Sequence, residues 1–349
     1  MSKKIKALLF ISLAVLIVSI SSFVHDAKAS STKKIELKLW GGPLGSTGYV
    51  LSFALAEIVN KYSDSIRIRA TETKGWAADI MGWQLLPEEE AKYIILGGPG
   101  PIHIKQGIDG KKPLKGPFME PRCIALISHM PSPWATADPK LKTAEDLKGK
   151  RIIFGGAISA FTDSMVAILE AWGLPAGGYK LIPGGFEHGA TGIIDGIIDV
   201  AYMGSSAWGP GEYKDWTPNP ATERLFSSKV CYIIDPPLWT FEKAKEKTGY
   251  PIYALGWKAK KVGLSSIPNC HGMVNDTSWW VHKALPDEIV KELCAIIYDH
   301  IKEFGSYHAT GKFMSHETLP DTACTKDWYH PVAIKFYKGK GLKFWEETH

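Results

Sequence analysis

The sequence predicts an α/β fold of two lobes, each with a central, mostly parallel sheet flanked by helices. Strand-like segments alternate along the chain with segments of helical periodicity, which is typical of α/β proteins. A strand, a glycine-rich turn and a helix follow one another at residues 35–60 and again at residues 151–172. The chain is long enough for two units of ordinary domain size, and a proline-rich stretch at residues 128–139 lies between them.

Residues 1–29 have the pattern of an export signal that is removed from the mature chain. Lys3, Lys4 and Lys6 precede an apolar run from Ala7 to Ile20, and Ala27-Lys28-Ala29 is a small-x-small cleavage motif. The apolar run is short for a membrane span, and its flanks suit a cleaved signal. For a bacterial source we therefore expect a periplasmic protein that is cleaved after Ala29.

The charge and the cysteines exclude several classes of function. The first 29 residues hold four lysines and one aspartate, so the formal charge falls from +5 to about +2 without them. No basic stripe and no motif of a nucleic-acid-binding module is present, so no nucleic-acid partner is expected. No C-x-x-C pair and no zinc-like spacing occurs, so neither a metal nor a cofactor is predicted.

The cysteine number is odd, which leaves at least one thiol unpaired in a monomer. Export permits a disulfide, but the sequence does not choose its partners. A catalytic Cys–His pair is one alternative, and buried structural thiols are commoner than such a pair. The five cysteines are Cys123, Cys231, Cys270, Cys294 and Cys324.

The turn from Trp40 to Tyr49 joins the first strand to the first helix with almost no side-chain bulk. A Gly/Ser/Thr turn at a helix start leaves N–H groups unpaired at the positive end of the helix dipole, which suits a carboxylate, sulfonate or phosphate. A Walker loop is excluded because no Lys precedes the Ser or Thr, and G-x-G-x-x-G is not matched. The alternative is a tight turn whose glycines only satisfy backbone geometry.

A second strand, residues 66–70, ends in a loop that holds Lys74 and Trp76. Ligands of open α/β sheets collect at the carboxyl ends of strands, so both residues are pocket candidates. A solvated surface lysine and a core tryptophan are the alternatives. Further strands are predicted at residues 94–96 and 123–127.

The second lobe repeats the opening pattern. The strand 152–154 leads into the turn 155–163, and the following helix is capped by Thr162 or Asp163 and stopped by Gly173. A third polar turn follows the buried strand 196–204. Two such turns on two lobes can face each other across a ligand cleft.

The rest of the chain divides as follows. Residues 215–268 have weak periodicity and are predicted as connecting loops and short elements, followed by a strand at 279–281. Pro286 starts an amphipathic helix, and residues 330–337 form another. We expect the first lobe at residues 30–127 and 232–349, and the second at residues 128–231.

Five blocks in this order behind an export signal resemble the TAXI family, the extracytoplasmic solute receptors of TRAP-type transporters. The resemblance covers essentially the whole mature chain. The blocks are Gly41-Gly42-Pro43-Leu44-Gly45-Ser46-Thr47-Gly48-Tyr49 with residues 55–60, then residues 146–151, 192–201, 285–290 and 330–337.

The resemblance implies a type II periplasmic binding protein, in which two α/β lobes close on a ligand and a separate membrane permease receives it. It implies an organic anion as ligand, glutamate and other carboxylates being known in the family, and we expect a monomer without cofactor or metal. The chain departs from the family pattern at residues 74–79 and 156–162, where it is bulkier, which favours a more apolar or aromatic carboxylate. The candidate ligand-binding residues are Gly45, Ser46, Thr47, Gly48, Tyr49, Lys74, Trp76, Ser159, Phe161, Thr162, Asp163, Ser205, Ser206 and Trp208.

Two alternatives belong to other classes. An exported enzyme needs a catalytic set, and Ser159, His188 and Asp199 offer one on paper, but no G-x-S-x-G, H-E-x-x-H or framed carboxylate pair is present. The other alternative is a receptor with the same fold that serves an ATP-driven importer instead of a TRAP-type permease. We predict a binding protein, not an enzyme.

Overall fold

The computed structural model describes residues 34–42, 46–112, 114–157, 159–207 and 216–348. The predicted export signal, Gly45 and Trp208 lie outside these residues. Residues 36–349 form one compact unit. Among the helices that are described, none combines the length and apolar character needed to cross a membrane.

The described residues form seventeen strands, most of them short. In chain order the strands are β1 (Ile35–Trp40), β2 (Ile66–Thr71), β3 (Ile94–Gly97), β4 (Pro121–Ser128), β5 (Pro131–Ser132), β6 (Trp134–Thr136), β7 (Arg151–Ile153), β8 (Lys180–Leu181), β9 (Val200–Tyr202), β10 (Ser205–Ala207), β11 (Trp216–Pro218), β12 (Tyr232–Ile234), β13 (Ala254–Trp257), β14 (Lys260–Val262), β15 (Ser265–Ile267), β16 (Cys270–Val274) and β17 (Thr277–His282).

Helices separate many of these strands, as the alternating pattern predicts. The α-helices are α1 (Thr47–Tyr62), α2 (Trp76–Gln84), α3 (Glu88–Ala91), α4 (Pro101–Ile108), α5 (Ala160–Ala171), α6 (Phe186–Ile194), α7 (Pro220–Ser228), α8 (Leu238–Thr248), α9 (Asp287–Asp299), α10 (Phe304–Tyr307) and α11 (Pro331–Gly339).

The first five-stranded sheet has the order β2-β1-β3-β17-β4. Strands β1 and β3 are parallel, with Lys38 opposite Ile94. Strand β17 is antiparallel to both neighbours, and its Trp279 lies opposite Gly97 of β3 and Ala125 of β4. The sheet is therefore completed by a strand that comes from late in the chain.

The second five-stranded sheet has the order β12-β6-β9-β7-β8. Strand β7 is parallel to both β8 and β9, whereas β6 is antiparallel to β9 and to β12. Both sheets thus hold an antiparallel strand, β17 or β6, one place in from an edge and beside the parallel strands. The sheets are mixed in this respect, because β6 and β17 enter their sheets from the connecting segments rather than through a helical crossover.

The chain crosses between the two sheets through a three-stranded sheet of order β13-β16-β5. The Asn275 N–H donates to the Met130 carbonyl at 3.1 Å, so the two crossing segments lie side by side. The proline-rich stretch that predicted the crossing contains β5 and β6. We propose that each five-stranded sheet is the centre of one lobe. The second lobe then extends beyond residue 231 to include β12.

Periodicity predicted the long helices correctly. Helix α1 buries Leu51, Leu55 and Ile58, and α9 buries Ile289, Leu293 and Ile297, as their apolar stripes require. Two predictions were wrong in detail. Helix α5 begins at Ala160 with Ser159 as its N-cap, so Thr162 and Asp163 lie inside its first turn.

The second error concerns residues 215–268, which contain the helices α7 and α8 and not only short elements. Helix α7 has the start signals that mark a helix, because the Asn219 side chain caps it and Pro220 is its first residue. Its apolar face is short, with Ala221, Leu225 and Phe226 as its buried apolar residues, in a mostly polar sequence, so the segment did not stand out. All five cysteines are described, and each is buried as a free thiol.

Candidate functional site

The start of α1 presents backbone amides at the carboxyl end of β1. Ser46 is the N-cap, and its hydroxyl accepts a hydrogen bond from the Tyr49 N–H at 3.1 Å. Among the described residues no acceptor is found for the amides of Thr47 and Gly48. These two N–H groups lie at the positive end of the helix dipole and can bind an anion, as the sequence predicted.

Gly48 lets the start of α1 approach the end of β3. A Cβ atom at this position would lie 3.1 Å from the Gly97 carbonyl oxygen and from Gly98 Cα, and 3.3 Å from Thr277 Cγ2. A side chain here would push the helix away from the sheet. The glycine therefore places the amides at the start of α1 directly beside the turn that follows β3.

Trp76 covers the turns that follow β1 and β3. Gly42 and Gly98 adopt φ values of +85° and +123°, and a Cβ atom there would lie 2.8 and 2.4 Å from Trp76 Nε1. Only glycine tolerates this backbone conformation and this contact. The Nε1 atom is buried and has no hydrogen-bond partner among the described residues, so the indole N–H is available to a ligand.

His103 lies edge-on to Trp76, with 5.4 Å between the ring centroids. The imidazole is 5 % exposed, and burial lowers its pKa to about 4, so the ring is neutral at pH 7. Its Nε2 atom is 3.4 Å from the Ser159 hydroxyl, and its Nδ1 atom has no partner in the described part of the chain. His103 therefore joins the first sheet's side of the site to the start of α5.

The start of α5 is largely satisfied by the protein itself. The Ala160 N–H donates to Gln106 Oε1 of α4 at 3.1 Å, and the Phe161 N–H donates to the Ser159 hydroxyl at 3.3 Å. The Thr162 hydroxyl donates to the Gly156 carbonyl at 2.8 Å. The contribution predicted for this turn is thus smaller than that of α1, because Gln106 already occupies one of its amides.

The sequence predicted a polar turn at Ser205 and Ser206, but both residues lie in β10, which pairs antiparallel with β11 and meets the start of α1 directly. The hydroxyls of Thr47 and Ser206 are 3.2 Å apart although the residues are far apart in sequence, and the Thr310 hydroxyl is 3.4 Å from Ser206. Ser205 instead donates to the Pro131 carbonyl at 3.1 Å. The start of α1, which follows β1 of the first sheet, and β10, which follows β9 of the second, therefore touch at one seam.

Three further buried polar atoms near this seam have no partner among the described residues. They are Ser128 Oγ, Asn275 Oδ1 and Thr277 Oγ1. Ser128 and Thr277 lie opposite each other in the first sheet, and Asn275 Oδ1 would be 2.5 Å from a Cβ atom on Gly100. Leaving such an atom unsatisfied costs about 1–3 kcal/mol, so a polar ligand at the seam would recover this energy.

The structure brings together six of the predicted residues at the seam. These residues are Ser46, Thr47, Gly48, Trp76, Ser159 and Ser206. Lys74 and Asp163 are exposed, Tyr49 packs against Phe53, and Phe161 lies in the core against Tyr202. Gly45 and Trp208 lie outside the described residues.

Sequence reasoning missed four of the buried polar residues, His103, Ser128, Asn275 and Thr277. A lone polar side chain in an apolar segment gives no local signal of what it faces. The one available signal was position, because Ser128 directly follows the predicted strand 123–127 and Thr277 stands two residues before the predicted strand 279–281.

The residues available for catalysis are not assembled as a triad. Asp199 accepts hydrogen bonds from the Arg151 guanidinium at 2.7 and 2.9 Å, so its carboxylate is committed to that ion pair. Among the described residues, Ser159 lies beside the histidine His103. Burial keeps His103 a weak base, however, and no carboxylate orients its Nδ1 atom. Within the described ranges, no group of three or more His, Cys, Asp or Glu side chains is placed to hold a metal ion.

Comparisons with known proteins support the fold. No protein-family model matches the chain, and no curated protein matches its sequence. A solved structure described as a periplasmic transporter aligns over 88 % of this chain and 95 % of its own, with 10 % identity and a TM-score of 0.51. This similarity shows the fold alone, and it confirms the predicted two-lobe α/β fold class of periplasmic binding proteins.

Two other solved structures are similar to this chain at a lower TM-score. A protein of Bordetella bronchiseptica RB50 aligns over 87 % of this chain and 89 % of its own, with 17 % identity and a TM-score of 0.49. A TctC solute-binding protein from Polaromonas aligns over 88 % of this chain and 96 % of its own, with 17 % identity and a TM-score of 0.48.

Proposed function

We propose that this protein is an exported solute-binding receptor that captures a small organic anion between its two lobes and delivers it to a TRAP-type membrane permease. One observation carries the proposal. Segments that follow strands of both sheets meet at a seam where buried polar atoms have no partner among the described residues, Trp76 Nε1 and Thr277 Oγ1 among them. A polar ligand held there would satisfy atoms that the protein leaves unpaired.

The amides of Thr47 and Gly48, for which the described residues supply no acceptor, favour a carboxylate as the ligand's charged group. They donate hydrogen bonds and carry the positive end of the α1 dipole, which together suit an anion without a buried cation. Neutral His103 and the Trp76 ring offer polar and aromatic contacts for the rest of the molecule. We therefore propose a carboxylate with an apolar or aromatic body.

Lobe closure would couple binding to recognition by the permease. The Thr47–Ser206, His103–Ser159 and Gln106–Ala160 contacts join elements of the two sheets, so they form only when the lobes are together. A ligand that touches both sides stabilises that arrangement by the difference in its affinity for the closed and open forms. The permease would then distinguish the loaded receptor by its closed surface.

Separate observations support the location and the partner. The export pattern of residues 1–29 and the solved structure described as a periplasmic transporter support a periplasmic receptor. The five sequence blocks that resemble the TAXI family support a TRAP-type permease. The absence of an assembled triad among the described residues, where Arg151 holds Asp199, supports a binding protein over an enzyme.

A ligand panel tests the binding proposal. The mature chain is unfolded, refolded and titrated with amino acids, dicarboxylates, keto acids and aromatic acids, while its melting is followed by fluorescence. A ligand at 100 times its Kd is expected to add about 2.7 kcal/mol to the free energy of unfolding and to be recovered unchanged. A panel without any stabilising anion, or a ligand that returns chemically altered, would contradict the proposal.

Trp76→Phe tests the site itself. The change keeps an aromatic ring but removes the N–H that lacks a protein partner, so affinity for the ligand is expected to fall about five- to tenfold. Trp239→Phe is the matched control, because Trp239 is 48 % exposed on α8, and it is expected to leave the Kd unchanged. Equal Kd values for wild type and Trp76→Phe would exclude Trp76 from the site.

Vesicle transport tests the partner. With a TRAP-type permease of the same organism in proteoliposomes, uptake of the ligand is expected to need both this receptor and an ion gradient, and not ATP. Receptor-dependent uptake through an ATP-driven importer, with none through the TRAP-type permease, would establish the rival receptor class.

A further inference from the structure

A cavity lies on the other side of α4 from the seam. We call it the rear cavity, and its volume is about 320 Å³. Its lining includes Lys105, Lys245, Tyr250, Tyr253, Thr325 and Trp328. Lys105 and His103 are two residues apart on α4, which separates their directions by about 200°, so one faces this cavity while the other faces the seam.

The lining combines positive charge with aromatic walls. Lys245 stands 4.6 Å from the centre of the Tyr253 ring, and among the described residues no carboxylate lies within ion-pair distance of its Nζ. Lys105 pairs with Asp109, and no Asp or Glu is among the residues that line the cavity. The lining therefore offers apolar surface and one cation without an ion-pair partner among the described residues.

We propose that the rear cavity binds a second small amphipathic anion, a carboxylate or sulfonate with an aromatic or short aliphatic body. The Lys245 ammonium would hold the anionic group. Tyr253 and Trp328 would contact the apolar body. The volume lies at the lower end of the range for small-molecule sites, which limits the occupant to about the size of a bicyclic aromatic acid.

The occupant would also influence the seam. Trp328 lies 6.5 Å, ring to ring, from Trp280, whose N–H donates to the Pro99 carbonyl at 2.7 Å in the turn that precedes α4. On the other side, Lys245 belongs to α8, which packs on α5. A ligand between these elements stabilises their closed arrangement and so raises the affinity of the seam for its own ligand. In return, the rear cavity binds its ligand more tightly when the seam is occupied. This coupling rests on the proposed function, whereas binding in the rear cavity does not.

Calorimetric titration with naphthalene-2-sulfonate tests the proposal on the mature chain at constant ionic strength. We expect saturable binding of one molecule, weakened at least about fivefold by Lys245→Gln. Lys243→Gln is the matched control, because Lys243 is exposed on the same helix and lies over Trp239, and it is expected to change the Kd less than about twofold. Neutral naphthalene-2-methanol should bind wild type and Lys245→Gln equally.

A second variant keeps the test independent of the lysine. Thr325→Trp fills the cavity from an exposed position and should abolish binding of the sulfonate while the melting temperature confirms a folded chain. Trp76→Phe should leave sulfonate binding intact, even if it weakens the ligand of the seam. No saturable binding, equal losses in Lys243→Gln and Lys245→Gln, or loss in Trp76→Phe with none in Thr325→Trp would overturn the proposal.

Discussion

Replacing His129 by glutamine is expected to lower the free energy of unfolding by about 3–5 kcal/mol at pH 7. His129 Nδ1 is 2.7 Å from Asp276 Oδ1 and its Nε2 is 3.2 Å from Asp321 Oδ2, and all three side chains are buried at the crossing between the sheets. Burial opposes the charged imidazole, but attraction and hydrogen bonds from both aspartates outweigh it and raise the His129 pKa to about 10. Glutamine would leave two buried carboxylates without this positive charge.

The pH dependence gives the expectation a second readout. A histidine pKa raised in the folded state contributes stability that is fully present below the unfolded pKa of about 6.5 and is lost as pH rises through about 10. Equilibrium unfolding in guanidinium chloride should therefore show wild-type stability falling between these pH values, with a smaller slope in His129→Gln. His188→Gln, at an exposed position, should change stability by less than about 0.5 kcal/mol. A loss below about 1 kcal/mol in His129→Gln would refute this account.

Asp79→Asn is expected to stabilise the protein by about 1–3 kcal/mol at pH 8 and to give no such gain at pH 4. Asp79 is 4 % exposed beside the seam, and its carboxylate accepts a hydrogen bond from the Thr73 hydroxyl at 2.8 Å. Burial raises its pKa to about 7 and outweighs the opposing effect of that hydrogen bond. Asparagine keeps an acceptor for Thr73 and carries no charge.

The sign follows from proton binding. Between about pH 4 and pH 7 the folded state holds a proton on Asp79 that the unfolded state releases, so this group makes the protein less stable as pH rises through that window. The difference between Asp79→Asn and wild type should grow over the same window in denaturant titrations. Asp64→Asn, at an exposed position, should show no pH-dependent difference. A gain that is constant with pH, or a loss at pH 8, would contradict the buried-carboxyl explanation.

Sequence periodicity predicted elements whose signal is local. The helices α1 and α9 can be recognised from about fifteen residues each, because buried apolar side chains repeat every helical turn. The glycine-rich turn before α1 is an equally local signal. The turn predicted before α5 is also present, but Gln106 from α4 reaches one of its amides. That contact joins segments that are distant in sequence, and the sequence near residue 160 does not predict it.

The same distinction applies to the site. Thr47 and Ser206 were each predicted as ligand-binding candidates from a polar turn in the sequence. Their contact, in contrast, depends on how the two sheets meet. The directions of β6 and β17 could not be read from sequence either. Alternating or buried strands look alike whether they run parallel or antiparallel, and only the connection decides the direction.

The position of β17 has a consequence for how the molecule is made. Its residues 277–282 pair with β3 on one side and β4 on the other, so neither strand has this partner until most of the chain has left the ribosome. The first sheet therefore cannot complete itself during synthesis, and the N-terminal part of the chain stays without its long-range pairing for most of that time. For the export that we propose, such a delay would keep the chain unfolded until it has crossed the membrane, because the last-made strand closes the first sheet.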